Sequence, residues 1–472
     1  MKRKEILIGG KFTTAAETFA VVSPFSGDEI ADVCSASRDE FETAVDHAEA
    51  ALREMSSLSR FELAKGLQKI ADLIEERKDE FAQTIANESA KPLIYSMGEV
   101  KRGIATFALA AGEAERFAGD VVPVDGQENG AGKFAYTKRI PRGIIYGITP
   151  FNFPLNLVAH KVAPALAARN SIIIKPSQRT PLTALLLGEV FLDSGLPSSA
   201  LQVVPMNIDH MDSVYTDERI AMISFTGGAD VGWEIKSKAG KKAVALELGG
   251  NAPVIIDRTA DLPRSIDKTV NGAFAYSGQV CISVQRVYAH ANIFQEFIDG
   301  VMVKAKEFEN GDPLSKETKM SVMIDENAAI RAEKWINEAV GNGAKLLCGG
   351  KREGSYLAPT VLTGTDPEMR VVSEEVFAPI VVIETFSQFE EAIDMANNSK
   401  YGLQAAVFTS DLANANSAAD KLEYGGVIIN DSPIFRVDNM PYGGSKESGF
   451  GREGVRYAME EMSELRIVVI NK

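Results

Sequence analysis

Apolar residues in the first third of the chain recur at the spacing of amphipathic helices. Ser37 with Glu40, and Ser59 with Glu62, match the S-x-x-E capping box that begins many helices. Behind these pairs, apolar side chains return every three or four residues, at Phe41, Ala44, Val45, Ala48, Leu52 and Met55 and then at Leu63, Leu67, Ile70 and Ile74. This periodicity predicts two helices, and a third is expected over 95–117.

Short apolar runs then alternate with helical segments. A first series of predicted strands covers 143–148, 172–174, 201–204, 221–225 and 244–248, and a second covers 253–256, 286–289, 380–383, 405–408 and 427–429. Helices are expected from Pro154 and over 182–191, 294–308 and 390–397. Buried runs of this length between helices are typical of parallel sheets covered on both faces. We therefore predict an α/β fold with two Rossmann-like open parallel-sheet domains.

Two segments lie outside this alternation. The stretch 119–132 is polar and glycine-rich, which is typical of a loop or an exposed hairpin, and 465–470 is a strand-like run at the end of the chain. A terminal strand of this kind often pairs with a distant hairpin or another subunit. We predict an NAD(P)-binding domain from 1–117 and 140–247 and a catalytic domain from 248–440. A small β oligomerisation arm and tail, from 118–139 and 441–472, would join subunits into a homodimer or homotetramer.

Composition narrows the class of protein. The 472 residues are 45% hydrophobic and 24% charged, with a net charge of −15, which disfavours a nucleic-acid partner. No apolar stretch approaches the length of a membrane span, and the N-terminal apolar run is too short for a signal peptide, so we expect a cytoplasmic protein without a membrane partner. Three cysteines fit a reducing compartment, and the four scattered histidines give no metal-ligand pattern, so no metal is expected.

Three residues carry candidate catalytic chemistry. Cys281 follows Gly278-Gln279-Val280, Glu247 lies at the end of an apolar strand before two glycines, and Asn152 follows the strand 143–148 within a Pro-x-x-x-Pro turn. Each residue has an ordinary structural alternative: a core cysteine, a strand-end carboxylate pointing into water, and an asparagine used for turn chemistry. A thiol, a carboxylate and an amide together would suit nucleophilic catalysis.

Two further strings suit a cofactor. Lys175 leaves a buried strand beside Ser177, where a lysine can meet a ribose or phosphate, although it could equally be a solvated lysine. Gly227 and Gly228 precede a helix start, whose free N–H groups suit a pyrophosphate. The stretch 449–454 matches G-x-G-x-x-G, but no predicted strand leads into it and no βαβ unit follows, so we do not interpret it as a dinucleotide site.

Taken together, these strings resemble the aldehyde dehydrogenase superfamily over essentially the whole chain. PFNFP at 150–154, KPS at 175–177, FTGG at 225–228, LELGGN at 246–251, GQVC at 278–281, EEVFAP at 374–379 and PYGGSKESGFGRE at 441–453 occur in the family's order and at comparable spacing. The resemblance implies NAD(P)-dependent oxidation of a small aldehyde. In its terms Cys281 is the nucleophile, Asn152 holds the oxyanion, and Glu247 is the general base that hydrolyses the thioester.

The resemblance also assigns cofactor contacts to NAD or NADP. It places Lys175 at the adenosine ribose, Glu375 at the nicotinamide ribose, Phe377 beside the nicotinamide ring, and Gly249 where the ring approaches closely. The remaining contacts expected from the family are Ser177, Gln178, Gly227, Gly228 and Trp233. Many NAD-preferring relatives carry Glu where this chain has Gln178, so we expect NADP to be tolerated or preferred.

The substrate is less closely defined by the sequence. The stretch 435–442 is similar to relatives that act on lactaldehyde and on short aldehydes bearing a carboxylate or phosphate. The positions that bind the substrate's tail in some of those relatives match or neighbour Arg102, His160 and Arg436. A structural salt bridge is an equal alternative for Arg436, and a packing role is an alternative for His160. Relatives that bind a phosphate often have Arg before the nucleophile, where this chain has Val280. The alternatives are a CoA-acylating semialdehyde dehydrogenase, a cofactor-free thiol esterase, or a protein that kept the fold and lost catalysis.

Overall fold

The structure is a computed structural model that describes residues 3–471. Its α-helices are α1 (Arg38–Ser57), α2 (Arg60–Glu76), α3 (Lys78–Ser89), α4 (Leu93–Arg116), α5 (Asn156–Ala167), α6 (Leu182–Leu192), α7 (Met211–Thr216), α8 (Ala229–Lys238), α9 (Leu262–Phe274), α10 (Phe294–Ala305), α11 (Glu326–Gly341), α12 (Arg370–Ser373), α13 (Phe389–Asn397), α14 (Leu412–Lys421) and α15 (Val455–Glu461). Its strands are β1 (Arg3–Lys4), β2 (Ile6–Ile8), β3 (Lys11–Thr13), β4 (Glu17–Val22), β5 (Glu29–Ser35), β6 (Val121–Val122), β7 (Lys133–Pro141), β8 (Ile144–Ile148), β9 (Ser171–Lys175), β10 (Leu201–Val203), β11 (Ile220–Thr226), β12 (Ala243–Glu247), β13 (Ala252–Ile256), β14 (Val284–His290), β15 (Lys345–Cys348), β16 (Arg352–Glu353), β17 (Tyr356–Leu357), β18 (Thr360–Thr363), β19 (Ile380–Phe386), β20 (Tyr401–Gly402), β21 (Gln404–Phe408), β22 (Gly426–Ile429), β23 (Ser445–Lys446), β24 (Gly449–Phe450) and β25 (Ser463–Asn471).

Both predicted capping boxes form. The Ser37 hydroxyl accepts the Glu40 backbone N–H, and the Glu40 carboxylate accepts the Ser37 backbone N–H at 2.7 Å. Ser59 and Glu62 repeat this pair at the start of α2. Each box satisfies backbone donors that the first turn of a helix leaves unpaired, so α1 and α2 begin where the sequence predicts.

The first sheet has the strand order β24-β12-β11-β8-β9-β10-β2-β3. Its five middle strands, β12 to β10, are parallel, while β24, β2 and β3 are antiparallel edge strands. Ile172 and Ile174 pack into one apolar cluster with α2, α4 and α5, whereas Ile173 packs into a second cluster that contains residues of α1 and α8. Because side chains alternate along a strand, this division shows that both faces of the sheet are buried.

The second sheet has the order β15-β18-β19-β14-β13-β21-β22, and all its neighbours are parallel except β15 and β18. Val254 and Ile256 face one cluster and Ile255 faces another, so this sheet is also covered on both sides. The prediction of two open, mostly parallel sheets is therefore confirmed.

A third sheet, with the order β25-β7-β6, forms a small β arm. The predicted terminal strand pairs antiparallel with β7 of the same chain, from Ser463 opposite Pro141 to Asn471 opposite Lys133. Within the predicted tail 441–472, β24 pairs with β12 of the first sheet and α15 packs on α4 and α5. Residues 463–471 form the arm strand β25. A two-residue strand such as β24 is too short to leave a periodic pattern in the sequence.

Within residues 3–471 no helix is long and apolar enough to cross a membrane. In the same range, no cluster of three or more His, Cys, Asp or Glu side chains has a geometry that could hold a metal ion.

Candidate active site

The carboxyl ends of the first sheet's parallel strands face segments that precede strands β14 and β19 of the second sheet, across a cavity of about 510 Å³. Asn152 follows β8, Gly227 follows β11, and Glu247 is the last residue of β12. Across the cavity lie Cys281, Glu375 and Phe377. Ligands of open α/β sheets bind at this edge, because strand-end loops carry the side chains that are free to reach them.

Cys281 is presented by a turn with an unusual backbone. Tyr276, Ser277 and Gly278 have φ angles of 52°, 56° and 67°, a left-handed conformation that bulky residues rarely adopt. A Cβ on Gly278 would lie 2.2 Å from the Ala378 carbonyl oxygen, so glycine is required there. The Ser277 hydroxyl donates to the Ser321 carbonyl at 2.7 Å and fixes the turn. Strained backbone of this kind is concentrated at functional sites.

The Cys281 sulfur lies 3.1 Å from the Tyr442 hydroxyl. Burial raises the pKa of the Cys281 thiol to about 11, and the hydrogen bond with Tyr442 opposes that rise. A Cβ on Gly250 would lie 2.2 Å from the Cys281 carbonyl oxygen, so the LELGGN loop approaches the Cys281 turn as closely as glycine allows.

Asn152 is buried, and its side chain is only partly bonded. Its Nδ2 donates to the Gln279 carbonyl at 2.9 Å, while Oδ1 has no hydrogen-bond partner among the described residues. The Gln279 carbonyl can only accept, which fixes the orientation of the amide. Since a side-chain amide has two N–H donors, one remains available in the cavity that Cys281 also lines.

Glu247 is buried, and its Oε2 has no hydrogen-bond partner within residues 3–471. Burial raises its pKa well above the ordinary value, and the nearby Glu453 carboxylate raises it further, whereas Arg436, Lys161 and Arg452 lower it. In its ionised form a carboxyl group with a raised pKa is a stronger base than an ordinary carboxylate, and an oxygen without a partner can then accept a proton from water.

The glycines and Glu375 shape the cofactor side of the cavity. Glu375 Oε1 accepts the Gly250 backbone N–H at 2.9 Å, and burial raises the Glu375 pKa to about 7. A Cβ on Gly249 would lie 2.4 Å from Glu375 Oε2, whereas a Cβ on Gly228 would meet open space. Gly228 precedes α8 without a side-chain cap, so N–H groups at this helix start are free to meet a phosphate.

The other predicted cofactor residues divide into two groups. Phe377, with a φ of 51°, lines the cavity and packs edge-to-face on Phe151 at 5.9 Å between ring centroids. Lys175, Ser177, Gln178 and Trp233 do not line this cavity: the first three lie at or just beyond the carboxyl end of β9, and Trp233 lies on α8. Burial lowers the pKa of Lys175.

A second cavity, of about 290 Å³, meets the first at Cys281. Arg102 and Arg436 line it, and each is paired with a carboxylate: Arg102 with Asp438 at 2.7 Å and Arg436 with Glu453 at 3.0 Å. His160 does not line the cavity; it is buried and bonds Asp438 at 2.8 Å through Nε2. Burial, with the Arg436 charge, lowers the His160 pKa, so the imidazole is neutral near pH 7.

Several residues of the site were not singled out from the sequence. Tyr442 contacts the sulfur, Lys161 and Glu453 pair at 3.2 Å behind Glu247, and Lys91 lines the second cavity. Tyr442 and Glu453 belong to the string PYGGSKESGFGRE, which was identified in the sequence as a family motif. The motif itself does not predict a contact between Tyr442 and Cys281.

Two open sheets bring a half-buried thiol, a buried amide and a buried carboxyl group to one cavity, an arrangement typical of an α/β enzyme. The model of the aldehyde dehydrogenase family matches residues 12–468. The chain is 41% identical over 472 residues to a 3-sulfolactaldehyde dehydrogenase of Priestia aryabhattai, covering 100% of this chain and 98% of that protein. It therefore belongs to the aldehyde dehydrogenase family, and it is an NAD(P)-dependent enzyme that oxidises a small aldehyde.

Solved structures agree with this assignment. Aldehyde dehydrogenase 21 from Physcomitrella patens, in complex with its reaction product succinate, superposes with a TM-score of 0.98 at 40% identity, covering 100% of this chain and 98% of that one. A glyceraldehyde-3-phosphate dehydrogenase from Methanocaldococcus jannaschii, complexed with NADP, gives a TM-score of 0.93 at 39% identity, covering 97% and 100%.

Proposed function

We propose that this enzyme oxidises a short aldehyde with a single negative charge on its tail to the carboxylic acid, through a thioester on Cys281. The observation that carries the proposal is the position of Cys281 where the two cavities meet. The first cavity has the glycine-rich walls that a dinucleotide needs. The second has the buried cations that an anionic tail needs.

The proposed chemistry begins with the Cys281 thiolate, which attacks the aldehyde carbon and gives a thiohemiacetal oxyanion. The free Asn152 amide N–H and the Cys281 backbone N–H hold that oxyanion; one such donor is commonly worth about 3 kcal/mol. NAD or NADP, when bound, supplies the hydride acceptor that oxidises this carbon. Glu247 then takes a proton from water, which hydrolyses the thioester and releases the acid and the thiol.

The unpartnered Glu247 oxygen supports hydrolysis over the nearest alternative, transfer of the acyl group to CoA. A CoA-acylating enzyme needs no base for water, whereas here a buried carboxyl group lines the same cavity as Cys281. The cofactor-free esterase and the non-catalytic protein are disfavoured, because both leave the cavity walls at Gly249, Glu375 and Phe377 without a purpose.

The charges beside the second cavity favour an aldehyde substrate whose tail carries a single negative charge. Lys161 and Arg436 share one carboxylate, that of Glu453, and burial raises the pKa of Glu247 and so favours its neutral form. With Glu247 neutral, the two cations Lys161 and Arg436 face one carboxylate, so one positive charge is left unbalanced. Arg436 Nε is buried without a hydrogen-bond partner among the described residues, so it is the donor best placed to meet an anion.

The other cations of this cavity are already neutralised. Arg102 is paired with Asp438, and Lys91 forms a buried ion pair with Glu99. A carboxylate or sulfonate would balance the single surplus, whereas a phosphate dianion would bring one charge too many, and Val280 offers it no further cation. The proteins of similar sequence and structure named above are described with a sulfonated aldehyde, with succinate and with a phosphorylated aldehyde, so all three point to anionic substrates.

We propose that His160 positions Asp438, and through it Arg102, and does not touch substrate. For the cofactor, we propose that Lys175, Ser177 and Gln178 meet the adenosine ribose beyond the cavity and that the uncharged Gln178 admits a 2′-phosphate. Arg179 is paired with Asp325 at 2.7 Å, so its charge is partly neutralised and Lys175 is the main nearby cation.

The β arm supports a proposed homodimer or homotetramer. Leu465, Ile467 and Val469 on β25 are each more than half exposed, at the edge of the three-stranded sheet. An exposed apolar edge strand favours pairing with another copy. Ile467→Lys should dissociate the oligomer in light scattering, while Thr43→Lys on exposed α1 serves as the matched surface control; an unchanged mass for Ile467→Lys would reject this interface.

A screen at 340 nm tests the function. Succinate semialdehyde, 3-sulfolactaldehyde, glyceraldehyde 3-phosphate, lactaldehyde and an apolar aldehyde are each supplied with NAD and with NADP. We expect the highest kcat/KM for a monoanionic aldehyde, complete loss in Cys281→Ala, and normal activity in Cys348→Ala. Equal rates for charged and apolar aldehydes would reject the proposed tail site, and activity retained by Cys281→Ala would reject the mechanism.

A further inference from the structure

The Tyr442 side chain lies next to the sulfur of Cys281. Its hydroxyl lies 3.1 Å from Sγ, and no other side chain within residues 3–471 hydrogen-bonds that sulfur. On the face of its ring lies the Arg436 guanidinium, with its central carbon 3.7 Å from the ring centroid. A cation over an aromatic face draws on the electron density of the ring, so it makes the phenol a stronger hydrogen-bond donor.

A closed set of contacts holds this phenol in place. The backbones of Tyr442 and Glu453 exchange two hydrogen bonds, of 3.0 and 2.7 Å. The Glu453 carboxylate binds Arg436, and Arg436 covers the Tyr442 ring. Ile282 and Leu403 pack with the ring in one apolar cluster. The ring is therefore fixed by its backbone, by a cation and by packing, and its hydroxyl is free to hydrogen-bond the thiol.

Burial and nearby carboxyl groups oppose ionisation of the Cys281 thiol, and a hydrogen-bond donor to the sulfur offsets part of that effect. Burial raises the pKa of the thiol, and the Glu375 and Glu247 carboxyl groups raise it further. The hydrogen bond from Tyr442 opposes this rise most strongly, followed by the charge of Arg436. The phenol itself is buried and its pKa is raised well above the ordinary value, so it keeps its proton over the working pH range and donates.

We propose that Tyr442 is a catalytic residue that donates a hydrogen bond to the Cys281 thiolate and so favours ionisation of the nucleophile. This inference rests on the proposed role of Cys281 as nucleophile. The thiol proton is released to solvent, the thiolate accepts the O–H of Tyr442, and no covalent bond changes until the sulfur attacks the aldehyde. Arg436 assists through the Tyr442 ring and remains available to substrate through Nε.

The test measures the thiol directly and needs no turnover. Holoenzyme free of substrate is alkylated with iodoacetamide across a range of pH, and mass spectrometry of the Cys281 peptide gives the rate, with Cys34 and Cys348 in the same digest as internal references. Tyr442→Phe keeps the ring and removes the donor. Loss of a hydrogen bond to a charged group should raise the Cys281 pKa by about one unit, which is roughly tenfold less thiolate below the pKa.

Two controls keep the result decisive. Tyr146→Phe removes the hydroxyl of another buried tyrosine, whose partner is Met211, and should leave the Cys281 profile unchanged. Incorporation of 3-fluorotyrosine at position 442 preserves shape and makes the phenol more acidic, so it should lower the Cys281 pKa even if Tyr442→Phe folds poorly. An unchanged Cys281 pKa in both position-442 variants would overturn the proposal. Turnover retained by Cys281→Ala would instead reject the proposed function, a separate outcome.

Discussion

Lys91→Met removes a positive charge from the interior of the protein. The Lys91 and Glu99 side chains are 1% and 0% exposed and form an ion pair. The Lys91 ammonium also lies 3.6 Å from the ring centroid of Phe153 and 4.5 Å from that of Tyr276. Glu99 accepts the backbone N–H groups of Leu155 and Asn156 at 2.8 and 3.1 Å, at the start of α5. The substitution would leave this carboxylate buried without its cation.

The magnitude follows from these contacts. Breaking a buried ion pair by removing one partner costs about 3–5 kcal/mol, because the other charge remains uncompensated. The two backbone donors still satisfy part of Glu99, so we take the lower end, about 3 kcal/mol. At roughly 2–4 °C per kcal/mol for a domain of this size, the melting temperature should fall by about 6–12 °C. Glu99→Gln should cost less, since burial already lowers the Lys91 pKa to about 8 and the amine can shed its proton.

Thermal unfolding followed by circular dichroism measures these effects at fixed protein concentration. The double variant Lys91→Met/Glu99→Gln should be more stable than the sum of the two single losses, because neither charge is then stranded. Because burial lowers the folded-state pKa of Lys91 to about 8, the wild type gains stability as the pH rises above 8 and Lys91→Met does not, so the difference between them should widen. A melting temperature within about 1 °C of wild type for Lys91→Met, or strict additivity of the two substitutions, would refute the reasoning.

Other predictions concern catalysis. Glu247→Gln should still give a first burst of NAD(P)H but slow steady turnover by about 10²–10⁴-fold, since only the hydrolytic base is lost; a normal steady rate would exclude Glu247 as that base. Asn152→Ala should lower kcat by about 10²–10³-fold with little change in KM, and an equal effect on KM would indicate substrate binding instead. Gln178→Glu should lower kcat/KM for NADP more than for NAD, and equal changes would place that side chain away from the 2′-phosphate. Because burial raises the pKa values of Cys281 and Glu247, and both act deprotonated, kcat/KM should rise with pH above neutrality; a fall would contradict these assignments.

Most of the fold could be predicted from short-range patterns in the sequence. The two capping boxes mark helix starts that form as predicted, because such caps depend on four neighbouring residues. The parallel strands of both sheets were visible as apolar runs, since strands buried on both faces cannot alternate with polar residues. The antiparallel edges of the first sheet, β2, β3 and β24, were not predicted, because two- and three-residue strands carry no period and are defined by their partners.

The site was predictable only in part for a related reason. Cys281, Glu247 and Asn152 lie in distinctive local strings, and the structure brings all three to one cavity. Tyr442 bonds the sulfur from 161 positions along the chain, and neither its spacing nor its composition encodes that contact. Likewise Lys91 precedes a proline in an ordinary helix connection, and its burial between two rings follows only from how the helices pack.

The contacts of Lys91 and Asn152 connect the two segments that form the proposed oxyanion site. Asn152 comes from the first sheet and bonds the Gln279 carbonyl in the turn that carries Cys281, while Lys91 joins the Phe153 ring beside Asn152 to the Tyr276 ring in that turn. A change in this packing should therefore shift the amide relative to the sulfur, and small misplacements can cost up to about a hundredfold in rate. If so, Lys91→Met assayed well below its melting temperature should lower kcat without raising KM. Adding Asn152→Ala to it should then cost less than in the wild-type background, because the amide would already be displaced. Full additivity of the two effects on kcat would show that Lys91 stabilises the fold without positioning the oxyanion site.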